Sequence, residues 1–289
     1  MNKIIDGKLV REVIKEELIK EIEGIDNLTL AVIQVGNDAA SSIYVNNKIK
    51  LCNEIGINSI HKKFDNIKEE ELIKEIENLN NDDNINGILV QLPLPNGFNT
   101  KKVINTISYL KDVDGLTTTN IGKLYNDEDC IIPCTALGVM KLLDYYNVDL
   151  EGKNIAIVGR STLVGRPLFK LLLDKNATVT MCHSKTNNLE EVLKTKDIII
   201  SATGKKGLIT SCMVKDDAVI RDVGITRVEN KIYGDVSFDE VYEKASLITK
   251  VPGGVGPMTV ICLMENTLNC YKLQKNDKTL KKVLKKTTI

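Results

Sequence analysis

Six apolar, β-branched runs recur along the chain: LTLAVIQV (28–35), NGILVQLPL (86–94), NIAIVG (154–159), ATVTMCH (177–183), KDIIISAT (196–203) and DAVIRDVG (217–224). Between them lie stretches of helical pattern such as KEEELIKEIENL (68–79), TALGVMKLLDYY (135–146) and EEVLKTKD (190–197). This alternation restricts the fold more than any other feature. Strands that alternate with helices build βαβ units, which predicts an α/β chain with mainly parallel sheets. With 289 residues there is enough chain for two domains. The polar, acidic segment NDEDCIIP (126–133) ends in proline and reads as the connection between them.

Charge excludes whole classes of partner. Lysine plus arginine number 39 and aspartate plus glutamate 39, so no net basic field is available for nucleic acid or an anionic membrane. No apolar run approaches the ~18 to 20 residues of a membrane span, and the charged start MNKIIDGKLVREVIKEELIKEI lacks the apolar core of a signal peptide. A cytoplasmic protein is expected. The seven cysteines show no CxxC spacing and only two histidines accompany them, so neither a metal site nor a disulfide framework is expected. The lysine-rich tail KLQKNDKTLKKVLKKTTI reads as a solvated helix face.

The stretch NIAIVGRSTLVGRPL (154–168) runs from a strand through Gly159, a short polar loop and Gly165 into a helix start. In that geometry backbone N–H groups and a helix dipole meet a phosphate. The spacing GRSTLVG is not the GxGxxG fingerprint, and by itself it fits a nucleotide loop or an ordinary strand-to-helix turn equally well. The following strand ends CHSKT (182–186) without the acidic residue that would hold a ribose 2′-hydroxyl. Arg160, Ser161 and Ser184 instead offer donors suited to a 2′-phosphate, which favours NADP over NAD. The alternative is that Arg160 makes a surface ion pair and Ser184 caps a helix.

Four further segments invite a chemical reading. In SSIYVNNKIKLCNEIGI (41–57), Tyr44 and Lys48 stand four apart and share one helix face. Gln91 interrupts the apolar strand of GILVQLPLP (87–95), where a buried amide needs a partner. KDVDGLTTTN (111–120) sets Asp112 and Asp114 beside a glycine, in either a simple turn or a binding loop. VPGGVGPMT (251–259) gathers glycines and prolines ahead of an apolar helix, a segment suited to close backbone approach.

Taken in order, YVNNKIK, GILVQLPLP, KDVDG, PCT, VGRSTLVGRP, CHSKT and PGGVGPMT resemble the motif series of the bifunctional methylenetetrahydrofolate dehydrogenase/methenyltetrahydrofolate cyclohydrolase family, from about residue 28 to 265. One departure is visible: the family's Pro-Cys-Thr-Pro reads Pro133, Cys134, Thr135, Ala136, which bears on the local turn and on no catalytic group. The resemblance implies two α/β domains flanking a cleft, the second a Rossmann-like doubly wound parallel sheet. It implies a folate-binding catalytic domain over 1–133, to which a C-terminal helix (266–289) returns, and an NADP-binding domain over 134–265. Lys48 would be the catalytic lysine, tuned by Gln91, with Tyr44 orienting the folate and Asp114 accepting hydrogen bonds from the pterin. Pro252, Gly253 and Gly254 would line the substrate side. Thr135, Gly159, Arg160, Ser161, Gly165, Ser184, Thr203, Gly224 and Ile225 would hold the cofactor. The partners implied are tetrahydrofolate derivatives and a second copy of the chain, as a homodimer.

Three rival readings remain at this level. A dehydrogenase without the hydrolytic step would not need Tyr44, Lys48 and Gln91 together. An NADP-dependent oxidoreductase of amino or hydroxy acids would use Lys48 and Asp114 as an acid/base pair. A nucleotide-sensing domain would need only residues 154–224.

Overall fold

The computed structural model describes the backbone of residues 3–286 apart from Asn230, and the side chains up to residue 276 apart from Ala39 and Ala40. In chain order the first elements are β1 (Ile4–Ile5), α1 (Gly7–Ile22), β2 (Thr29–Val35), α2 (Ala39–Ile55), β3 (Asn58–Phe64), α3 (Glu69–Asn81), β4 (Gly87–Val90), α4 (Thr100–Thr106) and α5 (Thr118–Tyr125). Then come α6 (Cys134–Tyr145), β5 (Asn154–Val158), α7 (Gly165–Leu173), β6 (Thr178–Cys182), α8 (Leu189–Leu193), β7 (Ile198–Ser201) and β8 (Val219–Asp222). The chain continues through β9 (Thr226–Val228), β10 (Lys231–Tyr233), α9 (Phe238–Tyr242), β11 (Leu247–Thr249) and α10 (Val255–Lys286). All six predicted strands are present, each one or more residues shorter than its apolar run. The helix expected over 190–197 is only Leu189–Leu193. Of the tail expected as a solvated helix face, Lys272 and Lys275 are exposed while Gln274 donates to the Asn86 and Leu110 carbonyls, and the part from residue 277 onward lies outside the described side chains.

Two compact units form. One joins the chain up to Ile14 with Thr135–Thr259, and the other joins Lys15–Cys134 with the chain from Val260. The second holds a three-stranded parallel sheet in the order β3-β2-β4. All seven residues of β2 are buried, as a central parallel strand requires when both of its faces are covered. Leu72, Ile76 and Leu79 of α3, spaced as one helix face, close the core with Ile33, Ile88 and Val90.

The first unit holds a six-stranded sheet, β1-β11-β8-β7-β5-β6, whose neighbours are all parallel. From β5 the chain goes to β6 on one side and then to β7 on the other. This is the doubly wound plan, and its switch point lies between β5 and β7. The opening residues pair within the six-stranded sheet. Ile4 and Ile5 pair with Ile248 and Thr249, and the Gly7 N–H donates to the Gly253 carbonyl at 3.0 Å, so these ladder bonds tie the N-terminal segment to the six-stranded sheet. The other division falls at Val260, inside α10. Among the described residues no helix is long and apolar enough to cross a membrane.

Candidate active site and cofactor edge

In the three-stranded unit, α2 is started by Asp38, whose carboxylate accepts the Ser41 N–H at 2.7 Å. The helix carries Tyr44, 43 % exposed, and Lys48 one turn further on. Strand β4 stops at Val90 because Pro93, two residues past Gln91, brings no N–H to continue the ladder. Gln91 therefore sits at the strand end. Its Nε2 donates to the Leu92 carbonyl at 2.6 Å, which turns its Oε1 to accept from Lys48 Nζ at 2.9 Å. The amide, half-buried, thus finds a partner on each side.

The charged residues of KDVDG hold different partners. Lys111 is buried and donates to the Leu79 and Asp82 carbonyls at 3.0 and 2.7 Å, closing the end of α3. Asp112 is buried too, and accepts the Thr117 N–H at 2.8 Å and Asn120 Nδ2 at 3.0 Å, which fixes the start of α5. Asp114 has the Cys134 thiol as its hydrogen-bond partner. Burial pushes its carboxyl up from the usual range; the Lys48 ammonium opposes this, and the charge on Asp112 adds to it. A carboxylate so poorly hydrated gains from any pair of N–H donors brought to it.

The glycine between Asp114 and α5 is required. Gly115 has φ +67°, and a Cβ there would lie 2.6 Å from the Ile131 carbonyl oxygen. Asn266 of α10 supports the same loop, donating through Nδ2 to the carbonyls of Val113 and Ile132 at 2.9 Å each. Sequence reading passed over Asn266; its one signal is an amide inside the apolar run ICLMENTL. Ala136, where the family has proline, lies buried in the first turn of α6, which begins at Cys134 without interruption.

In the six-stranded unit the predicted cofactor residues gather at the carboxyl ends of the strands. Gly159 follows β5, Ser184 follows β6, Thr203 follows β7, and Gly224 and Ile225 follow β8. Gly159 and Gly165 meet: a Cβ on Gly165 would stand 2.1 Å from the Gly159 carbonyl oxygen, and one on Gly159 2.5 Å from that of Ala202. The loop between them is short enough to bring α7 to the switch point, and Ser161 braces it by accepting the Val164 N–H on Oγ at 3.2 Å and the Arg166 N–H on its carbonyl at 3.0 Å. Gly165→Ala is expected to lower stability by about 1–3 kcal/mol, because neither backbone segment can yield. Thermal unfolding of the variant measures it.

Arg160, Ser161 and Ser184 are all exposed, and Arg160 makes no ion pair among the described residues. Nor does Ser184 cap a helix, since α8 starts after Asn188. Both alternatives raised by the sequence therefore fail. Guanidinium and hydroxyl donors without a carboxylate, beside a strand–glycine–helix turn, fit a phosphorylated dinucleotide. Thr135 lies in the same unit with its hydroxyl 3.2 Å from that of Thr259. Pro252, Gly253 and Gly254 lie there also. Gly253 has φ +113°, and a Cβ on Gly7 would stand 1.7 Å from the Gly254 oxygen, so this backbone is pressed against the start of α1.

The tetrahydrofolate dehydrogenase/cyclohydrolase catalytic domain matches residues 5–114, and the NAD(P)-binding domain of the same family matches residues 133–275. The chain belongs to this family. It is 48% identical over 268 residues to the bifunctional protein FolD of Clostridium novyi (strain NT), covering 91% of this chain and 96% of that one. Among solved structures, the bifunctional FolD methylenetetrahydrofolate dehydrogenase/cyclohydrolase of Campylobacter jejuni aligns at TM-score 0.91 with 46% identity, covering 94% of this chain and 99% of that one. The FolD of Trypanosoma brucei, solved in complex with NADP cofactor and an inhibitor, aligns at TM-score 0.89 with 34% identity over 94% of this chain and 97% of that one. Membership of the tetrahydrofolate dehydrogenase/cyclohydrolase family makes the protein a bifunctional enzyme of one-carbon metabolism with an NAD(P)-binding domain. The amino- or hydroxy-acid oxidoreductase and the nucleotide sensor are thereby set aside.

Proposed function

We propose that the enzyme oxidises methylenetetrahydrofolate to methenyltetrahydrofolate with NADP and then hydrolyses the product to formyltetrahydrofolate. The observation that supports this most is the Lys48–Gln91 hydrogen bond at 2.9 Å, in the unit that also carries Asp114, whose carboxyl feels the Lys48 charge. NADP supplies the hydride acceptor for the first step. The carbon that loses hydride is flanked by two nitrogens, so the cation formed is stabilised by the substrate and the protein's task is positioning. Tyr44 orients the folate, and Asp114 accepts the pterin N–H pair.

Hydrolysis asks for proton transfer. Water adds to the methenyl carbon as Lys48, in its neutral amine form, takes one proton; the ammonium so formed gives that proton to a ring nitrogen as the C–N bond breaks, and the added hydroxyl releases its remaining proton to solvent as it becomes the formyl oxygen. Gln91 has one orientation available, because its amide nitrogen is engaged by Leu92, and its oxygen therefore always faces the lysine. A fixed acceptor holds one lysine N–H and directs the rest of the amine.

The assignment of Arg160, Ser161 and Ser184 to the 2′-phosphate rests on their exposure and on the absence of an acid at the end of β6. Thr135, Gly159, Gly165, Thr203, Gly224 and Ile225 would line the same cofactor. Arg160→Ala is expected to weaken NADP by about ten- to a hundredfold while leaving NAD nearly unaffected, the effect of losing one charge-assisted contact. Calorimetric titration with each dinucleotide decides it; equal losses with both would remove Arg160 from the 2′-phosphate. We further infer a cytoplasmic homodimer. The described cysteines are all free thiols, in keeping with a reducing compartment, and the dimer rests on the family resemblance.

A further inference from the structure

Two aspartates lie beneath the cofactor edge. Asp222, at the end of β8, is 3 % exposed and Asp235 is fully buried. Asp235 Oδ2 accepts the Ser201 hydroxyl at 2.8 Å and the Thr203 N–H at 2.6 Å, while its Oδ1 accepts the Lys205 N–H at 2.8 Å. Asp222 Oδ1 accepts the N–H groups of Gly224 and Asp235 at 3.1 and 2.9 Å, and its Oδ2 accepts that of Val236 at 2.9 Å. The packing is reciprocal. A Cβ on Gly224 would stand 2.0 Å from Asp235 Oδ1, and a Cβ on Gly234 would stand 1.9 Å from Asp222 Oδ2. Each carboxylate thus fills the space left by the glycine next to the other.

Burying two carboxylates is costly, and apolar side chains of similar volume would serve plain stability as well or better. What the pair achieves is shape. It ties the end of β7 and the loop after it (201–205) to the end of β8 and the loop after it (222–225), through backbone donors and the Ser201 hydroxyl, and these loops carry Thr203, Gly224 and Ile225. We propose that Asp235, held by Asp222, is a positioning residue for the dinucleotide, setting the backbone of the 202–205 and 223–225 loops without touching the cofactor. The proposal rests on the reading of this edge as the NADP site.

The variant Asp235→Asn tests it. Both oxygens of Asp235 take backbone N–H groups, so an amide must aim its own N–H₂ at a donor whichever way it turns. The expected result is a KM for NADP raised about tenfold or more, with hydrolysis of methenyltetrahydrofolate, which consumes no dinucleotide, kept within about twofold. A merely structural role would lower both activities together and overturn the proposal, as would an unchanged KM for NADP. Should Asp235→Asn fail to fold, Ser201→Ala decides: it removes one bond and leaves both backbone donors satisfied. A rise of about threefold in the KM for NADP, with hydrolysis unchanged, is then expected, and parental values would overturn the proposal. The unsubstituted enzyme run alongside keeps the two readings apart, because if it reduces no dinucleotide the NADP reading itself fails.

Discussion

Lys48→Met should lower the hydrolysis of methenyltetrahydrofolate by about 10²- to 10⁴-fold, the contribution of a general acid/base, and slow hydride transfer much less. The asymmetry follows from the chemistry. Oxidation needs a carbon held in place and a cation that the substrate nitrogens already stabilise, whereas hydrolysis needs a proton removed from water and one delivered to nitrogen. Methionine keeps the length and packing of the side chain and removes only the amine. The measurement is paired on one preparation: NADPH formation, and separately the loss of methenyl absorbance. Equal losses in both, with folate still bound, would give the lysine a part in oxidation as well. Unchanged rates in both would reduce the face carrying Tyr44 and Lys48 to ordinary helix surface.

Asp114→Ala should damage both half-reactions, because each needs the pterin in place. Two hydrogen bonds to a charged acceptor are lost, at about 1.5–3 kcal/mol each, so folate affinity should fall about 10²-fold or more. Affinity for NADP should stay within about twofold. Asp112→Ala offers the contrast: its carboxylate serves Thr117 and Asn120, so its loss should appear first in thermal stability. Loss of cofactor affinity with folate affinity intact in Asp114→Ala would place this aspartate on the wrong ligand.

The two aspartates of KDVDG show where sequence reading stops. The motif announced acidic groups beside a glycine, yet nothing local distinguishes Asp112, which holds the start of α5, from Asp114, whose carboxyl feels the Lys48 charge. The distinction appears only in the fold, where Asp112 takes the Thr117 N–H and the Asn120 amide. Periodicity found β2, β4, β5, β7 and β8 because buried parallel strands are continuous apolar runs, and it found the edge strand β6 by its β-branched residues. It missed β3, NSIHKKF, whose lysines and histidine suit an exposed sheet edge and conceal the strand. It missed β1 and β11 because strands of two and three residues carry no period, and only their pairing gives them identity. Lys48 and Gln91 were legible as chemical residue types at conspicuous places, while Asp222 and Asp235 look like ordinary turn acids until their glycines are seen in space.

The pairing of β1 with β11 has a consequence for how the protein is made. Ile4 and Ile5 leave the ribosome long before their partners Ile248 and Thr249 exist, and at ordinary translation speeds of ~5–20 residues per second the interval is roughly ten to fifty seconds. Lys15–Cys134, in contrast, contains its whole three-stranded sheet in one continuous stretch, and most of its contacts can form during that wait. The inserted unit therefore has the means to fold first, with a short strand waiting ahead of it. Two residues of unpaired edge are a small hazard for aggregation, far smaller than a full-length strand held open for the same time.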